Sequence, residues 1–322
     1  SRRGVTLPMR SLGDVLRAAR AVRMRDWPLA VHLRRSLGDA IRACGLDDDA
    51  ALRGLFGMLV EDTVHATVDE APLINAALGI TIRGAGLSRA RGGMRGFFRA
   101  LASRYRALGG VLRVGTTVRR VSGSFGDYAI ETSRDEIRAR QVVSALPLEV
   151  VAKIAPEVVA RDVRGALERN AGRLGGALVL FASVPEAVVG GRWTHHQILE
   201  SYDAPLGNGN NLFISISSPG DEKSAPQGYR SVMISTHCEL EPWQGLDEAT
   251  YRRAKEEAAV RLLGLAGRAF PDLRERATVV GLGTPITYER YTGRPLGAVG
   301  GFRQWRGNAN QKAVGHGTAL AG

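Results

Sequence analysis

The stretch that decides the fold is "RARGGMRGFFRALASRYRALGGVLRVGTTVRRV", which runs from Arg89 to Val121. It predicts a glycine turn, an amphipathic helix, a Gly-Gly stop and a strand. One face of the helix carries apolar residues at helical spacing: Phe97, Leu101, Tyr105 and Leu108. Gly109-Gly110 can end the helix because glycine takes the left-handed conformation. The strand is predicted from alternation at Leu112, Val114, Thr116 and Val118.

The chain then continues into a second β region. "DYAIETS" alternates again, and "IRARQVVSALP" ends in the apolar pair Val142-Val143, followed by the helix-like "LEVVAKI". A buried strand that ends in small residues and proline lets the backbone approach a ligand at the edge of an α/β sheet. We therefore expect Arg89–Pro147 to form a helix, a strand, a β-excursion and a buried strand in one layer of a cofactor sheet.

The regions on either side of this stretch show other sequence patterns. Residues 1–60 are helical in character, with narrow apolar stripes and many arginines, and Glu61–Leu78 has the look of a second helical stretch. Such stripes favour the core of an α-rich lobe over a surface that lies on a membrane, which is the alternative. After Gly175 the sequence has strand-like runs between turn-rich segments, then a helix at Glu248–Gly264. This predicts a lobe of sheet plus helix.

Composition excludes several classes of protein. The formal charge of the 322 residues is +12, but lysine occurs only four times and the arginines are scattered among apolar residues. That distribution argues against nucleic-acid binding and is compatible with an anionic membrane surface. Two distant cysteines, Cys44 and Cys238, argue against disulfides and zinc and for a reducing compartment. No charge-free stretch spans a bilayer, so we expect a soluble or peripheral protein.

The side chains carry little obvious chemistry. "GAGLSR" at Gly84 and "GLGTPI" at Gly281 lack the third glycine of a phosphate-binding fingerprint. His195-His196 are sequence neighbours without a carboxylate or cysteine at ligand spacing, so no metal site is predicted. No nucleophile elbow or carboxylate pair stands out, and catalytic side chains stay unassigned. Such a sequence suits a protein whose reaction is carried out by a cofactor.

Parts of this sequence also resemble a known protein family. The run "RGGMRGFFRALASRYRALGGVLRVGTTVRRV…ARQVVSALP" resembles the second nucleotide-domain segment of flavin-dependent amine-oxidase-like enzymes. "HHQILESYDAPLGNGNNLFISISS", "GYRSVMISTHCELEPW" and "TPITYERYTGRPLGAVGG" look like the carotenoid desaturases and isomerases of the phytoene desaturase type, nearest to the C-3′,4′ desaturases. The resemblance covers roughly residues 5 to 322.

The resemblance implies a mixed α/β fold in which a partial, Rossmann-like FAD domain of the glutathione-reductase type is interleaved with a substrate domain. The expected divisions are residues 1–88 for the helical part of the substrate domain and 89–155 for the middle FAD segment. Residues 156–300 would form the substrate sheet and helix, and 301–322 would return towards the FAD domain. The first and last FAD segments of such families would lie before Ser1 and after Gly322, so an internal piece of a longer protein is expected.

The same resemblance implies the site residues. Gly92, Gly93 and Met94 would lie at the helix start beside FAD, and Val118 would offer backbone hydrogen bonds to the adenine. The FAD crevice would be lined by Ser144, Ala145 and Leu146. Four further residues of "RPLGAVGG" would lie near the junction of substrate and flavin: Arg294, Gly297, Gly300 and Gly301. Turns, a core strand and ordinary loop structure are the alternatives for these positions.

The activity implied is FAD-dependent desaturation of a long apolar polyene in carotenoid biosynthesis, by a cytoplasmic protein peripheral to the membrane. Alternatives are a flavin-dependent cis–trans isomerase or retinoid saturase, an amine or protoporphyrinogen oxidase, and a non-catalytic flavin-fold remnant that binds lipid.

Overall fold

The computed structural model describes residues 12–21, 24–86, 88–159, 161–190 and 193–308. The described chain is mixed α/β, with antiparallel sheets. The α-helices are α1 Leu12–Ala21, α2 Leu37–Ala43, α3 Ala50–Val64, α4 Leu73–Thr81, α5 Gly93–Ala107, α6 Leu148–Ile154, α7 Arg161–Arg169, α8 Glu186–Val189, α9 Glu248–Ala266, α10 Leu273–Arg276 and α11 Pro285–Thr292. The strands are β1 Val118–Ser124, β2 Asp127–Thr132, β3 Glu136–Ala139, β4 Gly176–Pro185, β5 His195–Leu199, β6 Asn211–Ile216, β7 Tyr229–Cys238 and β8 Thr278–Gly283.

The chain divides into two compact units. The first comprises the described residues within Ser1–Ile82, Gly115–Leu174 and Gly301–Gly322. The second comprises those within Arg83–Val114 and Gly175–Gly300. Both units are discontinuous in sequence, as an interleaved architecture requires. The domain divisions expected from the sequence stay a prediction.

The second unit is built on a five-stranded antiparallel sheet in the order β5-β6-β7-β4-β8. Alternate residues of the long strands β4 and β7 are buried, which is the period of a strand with one face on a core. That face packs against α9 and its neighbours through aliphatic side chains such as Leu180, Ile214, Ile234 and Leu262. The opposite face of this sheet, here called the open face, is not part of that core.

The first unit has two smaller cores. Helices α2 to α4 pack around Ile41, Val60 and Ala76. The three-stranded sheet β1-β2-β3 packs against α6 and α7 around Val121, Tyr128 and Val163.

The predicted helix after the glycine turn is confirmed. It spans Gly93–Ala107, and Gly109 adopts a φ of +85° just beyond it. The Gly110 N–H donates to the Tyr105 carbonyl at 3.0 Å, a bond of the kind that closes a glycine-capped helix end. The sequence therefore located both the helix and its stop.

The strand predicted from Leu112 is wrong in its first half. Residues 111–117 are irregular, and β1 begins only at Val118. The alternation at Leu112, Val114 and Thr116 was real, but a strand needs a neighbour to receive its backbone hydrogen bonds. Among the described residues, no strand runs alongside this stretch.

The buried strand predicted at Val142-Val143 is wrong for the same physical reason. Residues 141–145 belong to no sheet, and Val143 is 95% exposed. Without a pairing partner within the described ranges, the apolar run remains extended chain that leads to α6.

Candidate functional site

The start of α5 is a glycine turn held by a distant carboxylate. Gly92 and Gly93 have φ values of +77° and +62°, which only glycine adopts readily. The Gly92 N–H donates to both carboxylate oxygens of Asp221, at 3.1 and 2.9 Å. Met94 begins the first helical turn with its side chain exposed. The predicted FAD residues Gly92, Gly93 and Met94 thus lie at a helix start that already carries a negative charge.

Asp221 is held in this position by burial and by a further hydrogen bond. It is buried, and its Oδ2 accepts a hydrogen bond of 2.6 Å from the Ser224 hydroxyl. That bond and, after it, the bond from the Gly92 N–H hold the pKa of Asp221 below its usual range, although burial opposes them. Asp221 is therefore an anion at the N-terminus of α5, where the helix dipole favours negative charge.

Arg89, three residues before Gly92, reaches the sheet. Its Nη1 donates to the Ser215 hydroxyl at 2.8 Å and to the Ile216 carbonyl at 2.9 Å. Burial lowers the pKa of the Arg89 guanidinium, an effect that the nearby charge of Asp221 opposes. The segment before α5 is therefore held to the sheet of the second unit at two points, Arg89 and Gly92.

The open face of the five-stranded sheet lies beside Arg89. Strand register places Phe181 opposite Met233 and Met233 opposite Ser215, so the three side chains share one face. In the next row Val179 lies opposite Ser235 and Ser235 opposite Phe213. Phe181 is 47% exposed, unlike its neighbours Leu180 and Ala182 on the core face. The strands' open-face positions include no Asp, Glu, Lys or Arg.

Val118 lies in the first unit, at the outer edge of a sheet. It is the first residue of β1, an edge strand of β1-β2-β3, and its register partner is Thr132. The preceding pair is hydrogen-bonded, because the Ser133 N–H donates to the Thr117 carbonyl at 2.8 Å. Since hydrogen-bonded and non-bonded pairs alternate in antiparallel strands, the Val118 backbone groups point away from β2. This is the geometry that a backbone contact to an adenine edge needs.

Ser144, Ala145 and Leu146 form an exposed turn of the first unit before α6. The Ser144 Oγ accepts a bond of 3.2 Å from the Leu146 N–H, and Pro147 precedes the first helical residue. These residues follow the extended stretch that carries Val143. The structure assigns them a turn, and their predicted contact with FAD stays a prediction.

The "RPLGAVGG" residues form a tight loop after α11. Arg294 is buried, and its Nη1 donates to the Gly300 carbonyl. Gly297 has a φ of +72°, and a Cβ there would collide with the Pro285 carbonyl. Gly300 also has a positive φ, whereas Gly301 has open space around it. Loop geometry accounts for Gly297 and Gly300, and their predicted place beside substrate and flavin stays a prediction.

The predicted site residues therefore fall in both units. Gly92, Gly93 and Met94 lie in the second, and Val118 lies in the first. Sequence reasoning missed the partners Asp221 and Ser215, which are 129 and 126 residues from Gly92 and Arg89. Asp221 stands in the turn-rich "PGDEKS" with nothing local to mark it, so only the folded chain reveals the pairing.

Residues 34–298 match the family model described as flavin containing amine oxidoreductase. The chain belongs to this family. The expectation of a flavin amine-oxidase-like protein is thereby confirmed, and FAD is the cofactor that this family indicates.

Curated proteins similar to this chain include prolycopene isomerases, of which the chain spans about a fifth of the length. A chloroplastic prolycopene isomerase from Daucus carota is 32% identical over 115 residues, which are 34% of this chain and 18% of the carrot protein. Among solved structures, an oxidoreductase from Methanosarcina mazei matches with a TM-score of 0.55 and 19% identity, over 85% of this chain and 63% of the other. A putrescine oxidase variant matches with a TM-score of 0.51 and 15% identity, over 84% and 62%. At these identities the structures show a shared fold.

The described residues suit the adenine of FAD but not its pyrophosphate. The open edge at Val118 can accept an adenine edge. The pyrophosphate of a dinucleotide is normally held by several backbone N–H groups at a glycine-rich helix start. In this chain, the glycine turn before α5 instead donates to Asp221, whose charge would repel phosphate. Phosphate binding is therefore not assigned to these residues.

Among the described residues, no group of three His, Cys, Asp or Glu side chains could hold a metal ion. Within the same ranges, none of the helices is long and apolar enough to cross a membrane.

Proposed function

We propose that this chain belongs to an FAD-dependent oxidoreductase that acts on a long apolar polyene of the carotenoid type. The observation that supports it is the open face of the second unit's sheet. An antiparallel sheet with one face on a core usually presents polar residues on the other. Here the open face carries the apolar residues Val179, Phe181, Phe213 and Met233. The other side chains of this face include serines, His195, Gln197, Asn211 and His237, and the strands place no Asp, Glu, Lys or Arg there. Such a surface suits a hydrocarbon.

The residues of the open face would bind and orient the substrate. A polyene is rigid and extended, so flat aromatic and unbranched side chains such as Phe181 and Met233 can contact its length and exclude water. FAD, when bound, supplies the two-electron chemistry. No acid or base on this face is required for that role, which agrees with the absence of Asp and Glu from it.

Desaturation, which removes two hydrogen atoms from the substrate, is the first candidate reaction. Redox-neutral cis–trans isomerisation is the second, and the similarity to the Daucus carota prolycopene isomerase favours it. Saturation of a retinoid, which adds two hydrogen atoms and takes its two electrons from reduced FAD, is a separate alternative. Amine oxidation ranks lower, because the open face offers no carboxylate to hold an ammonium group. Porphyrinogen oxidation is a further alternative. Lipid binding without catalysis is the remaining alternative.

Product analysis tests the proposal. The protein, supplied with FAD, is incubated with a carotenoid, and the products are examined by mass and by isomer composition. Loss of two hydrogens indicates desaturation, and unchanged mass with a changed isomer indicates isomerisation. Phe181→Asp should abolish either product, whereas Val260→Asp, at an exposed position of α9, should not. No product of either kind, or full activity of Phe181→Asp, would contradict the proposal.

We also propose that the protein works as a peripheral membrane protein, since a polyene is stored in lipid. Support comes from α1, where Leu12 is 84% and Leu16 57% exposed while Arg20 stands in the last turn. Exposed leucines with basic residues suit an interfacial helix on anionic lipid. Flotation with anionic liposomes should be strong at low salt and weaker for a Leu12→Glu, Leu16→Glu variant. Absence of binding at low salt would rule the association out.

A further inference from the structure

Arg89 is a cation that reaches the open face at β6, the second of its five strands. Its Nη1 bonds to the Ser215 hydroxyl, and Ser215 lies in the same cross-strand row as Met233 and Phe181. Neighbouring strands are about 4.8 Å apart, so the row from Ser215 to Phe181 spans roughly 10 Å. The row continues beyond Ser215 to His195 on β5 and beyond Phe181 to Gly281 on β8. It therefore has a guanidinium beside Ser215 and an exposed phenyl ring two strands away.

Arg89 makes no hydrogen bond to a carboxylate among the described residues, although the charge of nearby Asp221 acts on it. Its hydrogen-bond acceptors are the Ser215 hydroxyl and the Ile216 carbonyl, both neutral, and it forms no ion pair among the described residues. The nearby acid, Asp221, directs its oxygens to the Gly92 N–H and the Ser224 hydroxyl instead. Arg89 is also partly exposed to solvent, so a ligand can reach it.

An arginine fork is suited to carboxylates because it presents paired N–H donors in a plane. One Nη of Arg89 is fixed by the sheet, which orients the group. A guanidinium of this kind beside a hydrocarbon surface selects molecules that have an acidic end and a long apolar body.

We propose that Arg89 is a specificity-determining residue that binds the carboxylate end of a polyene lying along the open face. The inference rests on the proposed function and narrows its substrate class from a pure hydrocarbon to a polyene with one acidic end. Ser215 acts as a positioning residue, since its hydroxyl holds the guanidinium over the face.

Binding of a matched pair of probes tests the assignment. Parinaric acid is a fluorescent conjugated tetraene with a carboxylate, and its methyl ester has the same chain without the charge. A hydrogen bond to a charged group is worth about one to two powers of ten in affinity. We expect the protein to bind the acid about ten- to a hundredfold more tightly than the ester. Arg89→Ala should remove that preference and leave ester binding unchanged.

Three further variants show whether the preference for the acid depends on the guanidinium of Arg89 and on its bond to Ser215. Arg89→Lys keeps the charge and should retain part of the preference. Arg95→Ala removes an equal charge from α5 and should retain all of it. Ser215→Ala should weaken binding of the acid and not of the ester. The circular dichroism spectrum and melting temperature of each variant report whether it is folded.

Two outcomes overturn different claims. If the wild-type protein binds acid and ester equally and Arg89→Ala changes neither, the role of Arg89 is overturned while the polyene proposal stands. If neither probe binds, the open face is not a ligand surface, and the proposed function loses its support together with this inference.

Discussion

Replacing Asp221 should loosen the start of α5 by an amount that the structure sets. The carboxylate accepts the Gly92 N–H at 2.9 and 3.1 Å and the Ser224 hydroxyl at 2.6 Å, and the residue is buried. Hydrogen bonds to a charged group contribute about 1.5–3 kcal/mol net. Asp221→Ala should therefore lower the free energy of unfolding by about 2–3 kcal/mol. Asp221→Asn keeps the shape and one acceptor but loses the charge, so about 1 kcal/mol is expected.

These values convert into melting temperatures. For a domain of 150–250 residues, 1 kcal/mol moves the Tm by about 2–4 °C. We expect a fall of about 2–4 °C for Asp221→Asn and roughly 4–12 °C for Asp221→Ala, measured by thermal unfolding at pH 7. Hydrogen exchange should speed up at the Gly92 amide. Glu222→Gln, an exposed neighbour that loses the same charge, is the control and should melt like the wild type.

The lowered pKa of Asp221 sets the direction in which its contribution to stability changes with pH. The pKa of Asp221 is lowered from its ordinary 3.8, so its contribution is fully present above that value. It is lost as pH falls through the lower pKa of the folded protein. The difference between wild type and Asp221→Asn should therefore shrink below about pH 4. Equal Tm values at pH 7, together with unchanged exchange at Gly92, would refute the reasoning.

Three other predictions concern single features. Ser36→Ala should lower the free energy of unfolding by about 1 kcal/mol, because it breaks the capping box in which Ser36 and Asp39 begin α2. The pKa of Asp39 is lowered from 3.8 to about 2, so the stabilisation by this capping box should decrease as pH falls below 3.8. Urea titrations at several pH values measure both effects. Gly297→Ala should destabilise the protein by more than about 1 kcal/mol, because Gly297 has a positive φ and an added Cβ would collide with the Pro285 carbonyl. Gly301→Ala, where there is open space, should leave the melting temperature unchanged. The 322-residue chain should purify without tightly bound FAD, since its described residues present no phosphate-binding helix start, and a flavin absorbance near one per chain would disprove this.

Local pattern located most of the secondary structure. The apolar period of 3.6 found α5, and the glycine pair found its end, because both signals act within a few residues. The helix predicted at Glu248–Gly264 forms as α9. Strand alternation found β4 and β7 for the same reason.

Pairing could not be predicted from local pattern. Leu112 and Val142 have strand-like surroundings, yet neither belongs to a described strand, since the backbone has no neighbour there to bond with. The site depends on pairing as well. Arg89 and Ser215 carry no shared motif, and their contact exists only because the sheet brings them together.

The separation between Gly92 and Asp221 has a consequence during synthesis. Asp221 is translated 129 residues after Gly92, which takes roughly 6–26 s at about 5–20 residues per second. Throughout that interval the turn before α5 lacks both β6 and Asp221, to which it is bonded in the folded chain. Phe97, Leu101 and Tyr105 are about half exposed in the folded chain as well, so the delay leaves the turn, and not the apolar side of the helix, without its partner.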